Sequence, residues 1–587
     1  MTLRRGLWPA LIAVVLLAVL LPVAPRFRPV PGEDPSVYLY VGQGILRGEM
    51  PYRDMWDHKQ PLAFVLFALA QLITPGSLWG IWLIEAAGLI ATVLLADRLL
   101  KPAATQPIRA LAVIAGLLTL VILLWGFSLE ELSLPLQMLT LWAFARWLNA
   151  GSRRGRAGSA LLIGAATGVV FFLKQSLIAA GVAAGAAMLL AWLVRRDRQG
   201  WFELLALAGG FALVAAPVIG WLAAGGALPA YLDAAFAFNL AYAGLGPLER
   251  ANAMLDALET MAATPGLFLA FALWLACAAV AAAQAGPALA IALRRRWLRP
   301  LLLAAGAGMI VLALVVELAG GQPGFGLAQW ALVLMGMVLL VLGAALYLGS
   351  TRDRLSGWFE GAPLFAAEPA QGRTRQGLFT LAAVYFPVAL ALISLSGRGY
   401  VYYFIVFVPP LILMVGLVAG TFLKPTRGAV VVLAALGLAL AYNPLLLTIN
   451  NLQKPTNPPL PGVVDVIRAR TQEDDTILIW QSFLTHIYFL TGRRAPTRFF
   501  YPAPLALEAY NTRFGVTEEM LADLRANPPA LIVYSPVEGE PVPALGACPF
   551  AVDDAPNSPG KVNAFICEGY QMIEPVDGMW VFERREP

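Results

Sequence analysis

Charge is scarce in this chain. Only 13% of its 587 residues are Asp, Glu, Lys or Arg, against roughly a quarter in an ordinary soluble domain. Hydrophobic residues make up 59% and the mean hydropathy is +0.71. That composition excludes a soluble globule and requires a bilayer. Cysteine is rarer still. Of three, Cys277 falls in an apolar run and Cys548 and Cys567 fall near the end, which excludes a zinc-ligand spacing and a disulfide-rich scaffold. A bond between the last two stays open if that compartment is oxidising. The C-terminal part has no Gly-rich phosphate loop to support nucleotide binding, and no half-to-half repeat is evident.

What the sequence does have is length of apolar run. Stretches near the roughly 20 residues a spanning helix needs recur from the start to about residue 448. The expected fold class is therefore an α-helical polytopic membrane protein of about thirteen transmembrane helices. Residues 1–449 would form the membrane domain and 450–587 a small α/β soluble domain. In the latter, VVDVIRART and VTEEMLADLRANPP read as helices, and TILIW, ALIVYS and GMWVFER as strands.

The net charge of +5 does not point to nucleic acid, because Lys and Arg occur as short clusters between apolar runs and so read as topology signals. Placing Arg4 and Arg5 in the cytoplasm makes LWPALIAVVLLAVLLPVAP a retained first span, since it lacks a small-x-small cleavage site. The basic loops at 97–109, 152–156, 195–198, 294–299, Arg352 to Arg375 and 424–427 then fall inside. The alternation requires residues 61–100 to cross once, with PLAFVLFALAQLI lying at the interface and the span starting near Leu78. The odd span count places the first loop, 25–77, and the C-terminal part on the same external face. The expected location is the plasma (inner) membrane.

That external face collects the ionisable groups. PYRDMWDHKQP, at 51–61, packs Arg53, Asp54, Asp57, His58 and Lys59 into one loop, and charge at membrane depth is costly unless paired or facing a cavity. Pro35 and Ser36 after Asp34 fit a helix start, so Asp34 reads as an N-cap, a role that leaves catalysis open. Asp54 and Asp57 stand at helical spacing and fit a solvated face with Arg53 and Lys59. His58 reads as an ordinary hydrogen-bonding partner of Asp57, or as a general base or metal ligand without a second His or Cys nearby. Lys174 and Arg398, at span ends, either snorkel to headgroups or bind phosphate. Glu33, Glu130 and Glu131 extend the acidic set, the last two alternatively as a plain external turn.

The run EDPSVYLYVGQGILRGEMPYRDMWDHKQP resembles the first external loop of GT-C glycosyltransferases, the integral-membrane group of protein O-mannosyltransferases and lipid A aminoarabinose transferases. Asp34, Tyr38, Gly48, Pro51, Tyr52, His58, Lys59 and Pro61 occupy the matching places. FSLEELSLPLQ, FFLKQS, YLDAAFAFNLAYAG, SGRGYVYYFIVFVPP and HIYFLTGRRAPTRFFY extend the resemblance over nearly the whole chain. One departure is Tyr402, where relatives commonly have His. The resemblance implies transfer of a sugar from a polyprenyl-phosphate donor to a hydroxyl of a lipid, glycan or protein acceptor at the external face, usually with inversion. It implies Asp34 as general base and Asp57, His58, Glu33 and Glu131 as acidic-loop candidates. Lys174, Arg398, Lys59 and Tyr402 are implied on the donor phosphate. Some members use a divalent cation, Mg or Mn, which Asp34 with Asp57 would hold. A flippase of lipid-linked sugars is the alternative that many spans and intramembrane charge also fit.

Overall fold

The computed structural model describes residues 2–124, 126–195, 198–242, 264–284, 369–395, 400–422, 462–536 and 548–585, with a few isolated positions besides. Arg398, the basic segments at 294–299 and 424–427, and the loop GGQPGFG lie outside the described residues. Among the described residues, six helices are long and apolar enough to cross a membrane. They include α4 (Trp79–Leu100), α5 (Gln106–Leu123), α7 (Arg153–Leu173) and α9 (Arg198–Ala224). The other two are the segments Thr374–Ser394 and Val401–Phe422. They pack with α1 (Thr2–Leu20), α6 (Leu129–Asn149) and α8 (Ala179–Arg195).

Helix ends follow local chemistry. Ser128 caps α6 in a reciprocal box: its hydroxyl accepts the Glu131 N–H and the Glu131 carboxylate accepts the Ser128 N–H at 3.1 Å. Such caps stabilise a helix by about 1 kcal/mol. Ser152 caps α7 by accepting the Gly155 N–H at 3.1 Å. At the other end, Lys174 leaves helical dihedrals (φ −162°, ψ 122°), which brings the chain out of the bundle at the level where α6 begins. Between α7 and α9 the backbones meet at glycines. A Cβ on Gly164 would overlap the Leu207 carbonyl, and one on Gly210 the Leu161 carbonyl. Small residues are how membrane helices gain close van der Waals packing when lipid supplies no hydrophobic drive.

The first loop holds two helices, α2 (Glu33–Leu46) and α3 (Pro61–Ile73), with α3 ending before the 22-residue span α4. The helix break falls at TPGS, and the span-length helix begins at Trp79, close to the expected start near Leu78. Two expectations are corrected here. Gly32, not Asp34, is the N-cap of α2, and it makes no side-chain cap bond. The 51–60 segment is not helical, so Asp54 and Asp57 share no helix face. A bridge between Pro51 and Met55 closes a tight turn instead, with Gly48 (φ 89°) and Tyr52 (φ 69°) in the left-handed region. This turn leaves Asp54 paired to Arg53 at 2.7 Å near the surface and sends Asp57 into the interior.

Beyond Gly462, four strands form a sheet in the order β1-β2-β4-β3: β1 (Ile477–Trp480), β2 (Leu531–Tyr534), β3 (Tyr570–Val576) and β4 (Met579–Arg584). β1 and β2 are parallel, Ile477 opposite Leu531, and the chain between them crosses over through helices, as a parallel pair requires. β4 runs antiparallel to both β2 and β3. Every residue of β1 and β2 is buried. Cys548 and Cys567 are disulfide-bonded, and Cys277 is free and buried.

This C-terminal part docks on the first loop. The Ser36 and Thr485 hydroxyls are hydrogen-bonded to each other. The Ala495 N–H donates to the Tyr40 hydroxyl at 3.0 Å, the Trp56 N–H to the Arg498 carbonyl at 2.8 Å, and the Trp56 indole to the Tyr510 hydroxyl at 3.0 Å. Arg498 is held in turn by a two-pronged pair with Glu519, at 2.6 and 2.7 Å.

Candidate active site

The turn that buries Asp57 also fixes its neighbours. The Lys59 N–H donates to Asp57 Oδ1 at 2.7 Å, and the Tyr52 hydroxyl donates to the Lys59 carbonyl at 2.9 Å. The Lys59 ammonium, now aimed, lies 2.9 Å from His58 Nε2 and 3.8 Å from Asp34 Oδ1. An ammonium only donates, so Nε2 accepts and the imidazole proton is on Nδ1. Nδ1 faces the Tyr501 hydroxyl at 3.3 Å and Asp57 Oδ1 at 3.6 Å.

A second charged pair stands beside the first. Where α7 ends, the Lys174 ammonium donates to Glu130 Oε1 at 2.5 Å, from the first turn of α6. It also lies over the rings of Tyr403 and Tyr402, 4.1 and 5.6 Å from their centroids. The two pairs share one field. Burial lowers the Lys59 pKa, but Asp34 and then Asp57 raise it by more, while Lys174 opposes them; the net shift is upward and the side chain is a cation. His58 is pushed well below its usual range by burial and by the Lys59 and Lys174 charges, so it is neutral at pH 7. Burial pushes Asp57 up to about 6, against the pull of Lys59 and two backbone N–H groups. The phenols of Tyr38 and Tyr501 are pushed up chiefly by burial and then by the carboxylates around them, and both remain neutral.

The structure thus brings together Asp34, Asp57, His58, Lys59, Lys174 and Tyr402, which the sequence separates by up to 368 positions. Asp34 is the accessible member. Its side chain is 35% exposed, and Lys59 at 3.8 Å is its ion-pair partner, so its oxygens face open space in a cluster whose other acids are buried. Other candidates fall elsewhere. Glu131 is the capping partner of Ser128, accepts the Gly126 N–H at 3.0 Å, and belongs with Arg28 and Glu85 rather than with Asp34. Glu33 is exposed on the first turn of α2, where its carbonyl accepts the Ser36 hydroxyl. A layout with carboxylates on one side and cations on the other is not found: each lysine stands against its own carboxylate.

Several members escaped sequence reasoning. Tyr501 comes from the C-terminal part, faces His58 Nδ1 and lies within the field of Asp57. Asn239 donates to the His58 carbonyl at 2.9 Å, and Tyr231 to Gln60 Oε1 at 2.7 Å. The only signal for Tyr501 was the aromatic run FFY following GRR in the quoted tail motif. As for a metal, the two carboxylates suggested for one do not fit: Lys59 already compensates both, and Asp57 Oδ1 accepts the Lys59 N–H. Among the described residues no three His, Cys, Asp or Glu side chains converge as a metal site.

The family model described as "Putative competence-induced protein Ccs4 N-terminal domain" matches residues 7–287. Among solved structures the chain is similar to ArnT from Cupriavidus metallidurans, both bound to undecaprenyl phosphate and in the apo state. For each, identity is 14%, coverage is 99% of this chain and 98% of the other, and the TM-score is 0.44. No curated protein matches the sequence. The likeness is one of outline, and the chemistry is carried by the residues themselves.

Proposed function

We propose that this protein is a membrane glycosyltransferase that moves a sugar from a polyprenyl-phosphate carrier to an acceptor hydroxyl at the external membrane surface. The observation that carries the reading is the meeting of one accessible carboxylate, Asp34, with two lysines at the rim of membrane-spanning helices, under a cover supplied by the C-terminal part. The sequence resemblance to GT-C enzymes rests on the same residues. In this reading Asp34 accepts the proton of the acceptor hydroxyl as its oxygen bonds to the anomeric carbon. The bond from that carbon to the phosphate oxygen breaks on the opposite face, inverting the centre, and the carrier leaves as the phosphate with the bonding pair. Lys59 stabilises the charge on that phosphate, and Lys174, held by Glu130 and stacked on Tyr403, adds a second positive field. The protein would lie in the plasma (inner) membrane with its N-terminus cytoplasmic and its C-terminal part outside.

The test is purified wild type and Asp34→Asn in liposomes carrying a panel of polyprenyl-phosphate-linked hexoses, with release of free polyprenyl phosphate as readout. Asp34→Asn should lower turnover by about 10²- to 10⁴-fold, the usual worth of a general base, while donor binding persists. Undiminished release would overturn the base assignment. Movement of intact donor across the bilayer with no release would replace transfer by translocation.

A further inference from the structure

The face opposite this site carries a second polar cavity. It measures about 360 Å³ and lies among the ends of α4, α6 and α7, lined by Arg98, Trp142, Arg146, Asn149 and Ser152, with Leu99 and Pro102. Glu130 and Arg146 are sixteen residues apart on α6, about 24 Å along a helix, and a bilayer core is about 30 Å thick. The cavity therefore opens at the other membrane surface, the one whose loops hold the basic clusters, and cannot belong to the Asp34 site.

Two of the basic residues on that surface are held by carboxylates. Asp97 accepts from Arg109 at 2.7 Å, and the buried Glu203 is paired with Arg156 at 3.5 Å and accepts the Trp147 indole N–H at 2.9 Å. Arg98 and Arg146 differ: both line the cavity, no Asp or Glu lines it with them, and neither has an ion-pair partner among the described residues. The Arg146 guanidinium lies over the Trp142 ring, 4.9 Å from its centroid. Other polar side chains there already have partners. Asn149 donates to the Ala145 carbonyl and accepts the Thr374 hydroxyl, and Ser152 accepts the Gly155 N–H. Two guanidiniums lining one hollow match phosphate oxygens. Leu99, Pro102, Trp142 and Ala145 make an apolar half of the lining, beside the polar Ser159. A free anion would leave that half unused, whereas a phospholipid fills both, its phosphate on the arginines and its glycerol and first methylenes on the apolar wall.

We infer that the cavity bounded by Arg98, Arg146 and Trp142 is a binding site for the headgroup phosphate of an anionic phospholipid in the leaflet opposite the active site. The site pins the ends of α4, α6 and α7, two of which begin or end at the Glu130 and Lys174 pair.

The test is native mass spectrometry of the full chain released from detergent with equal phosphatidylglycerol and phosphatidylcholine. Wild type should retain phosphatidylglycerol over phosphatidylcholine by about tenfold, and Arg98→Gln/Arg146→Gln should lose that preference. Arg153→Gln/Arg154→Gln removes the same charge from exposed positions outside the cavity and should keep it. If the first double variant does not fold, Arg146→Gln alone should show a reduced ratio. Equal losses in the two double variants, no preference in wild type, or full displacement of phosphatidylglycerol by millimolar inorganic phosphate would each overturn the assignment. The readout is retention of lipid, so the result stands apart from whether the protein transfers sugar.

Discussion

At the residue scale, the turn at 51–60 makes a polar cluster out of a greasy protein, and its least comfortable member is Asp57. The carboxylate is 1% exposed, and burial raises its pKa from 3.8 to about 6. A raised acid pKa means the folded state holds the proton more tightly than the unfolded chain. That contribution is complete below about pH 4 and is lost as pH climbs through about 6. Two units correspond to roughly 3 kcal/mol, present at acid pH and gone by neutral pH. Asp57→Asn keeps an oxygen for the Lys59 N–H and removes the titration. Its thermal midpoint should therefore gain on wild type between pH 4 and 7 and run parallel above; a difference independent of pH would show that Asp57 is not perturbed. The acidic loop itself was legible, because five ionisable groups in eleven residues between apolar runs demand an explanation. The partners of Asp57 were not. Tyr501 reaches it from more than four hundred positions away, and no local spacing encodes a contact set by docking.

At the element scale, what the sequence shows best is where helices and strands start and stop. Apolar runs coincide with the six helices long and apolar enough to span among the described residues. β1, β2 and β4 read as strands because they are short, β-branched or aromatic, and buried. β3 was missed, since Pro575 and a register shift between Met572 and Glu574 spoil its alternation; only an edge strand tolerates these, and β3 is at the edge. The close contact of α7 with α9 makes a sharper claim. Gly210→Ala drives a methyl into the Leu161 carbonyl, whereas the neighbouring Gly209 has open space around its Cβ position. Gly210→Ala should lower the midpoint of thermal unfolding in detergent at a cost of about 1–3 kcal/mol, with Gly209→Ala neutral or slightly stabilising. Equal effects at the two positions would mean that the helices do not meet there.

At the scale of the whole molecule, the reading depends on the first loop and the C-terminal part occupying one side of the membrane. The contact of Ser36 with Thr485 tests this directly, because the two hydroxyls touch across the junction. Hydroxyls that close leave their Cβ atoms near disulfide separation. The native thiols do not interfere: Cys548 and Cys567 are bonded to each other and Cys277 is buried. Ser36→Cys/Thr485→Cys should therefore cross-link under mild oxidant in intact membranes, visible as one joined peptide pair after non-reducing digestion. Single cysteines at exposed positions of the two parts, Arg53→Cys and Arg525→Cys, should be labelled by a membrane-impermeant maleimide from the same side. Joining would also show whether the cover must lift: with the tether closed, turnover should fall if acceptor enters between Trp56 and Tyr501, and recover on reduction. Failure to cross-link, or labelling of the two positions from opposite sides, would separate the C-terminal part from the Asp34 site and remove Tyr501 from it.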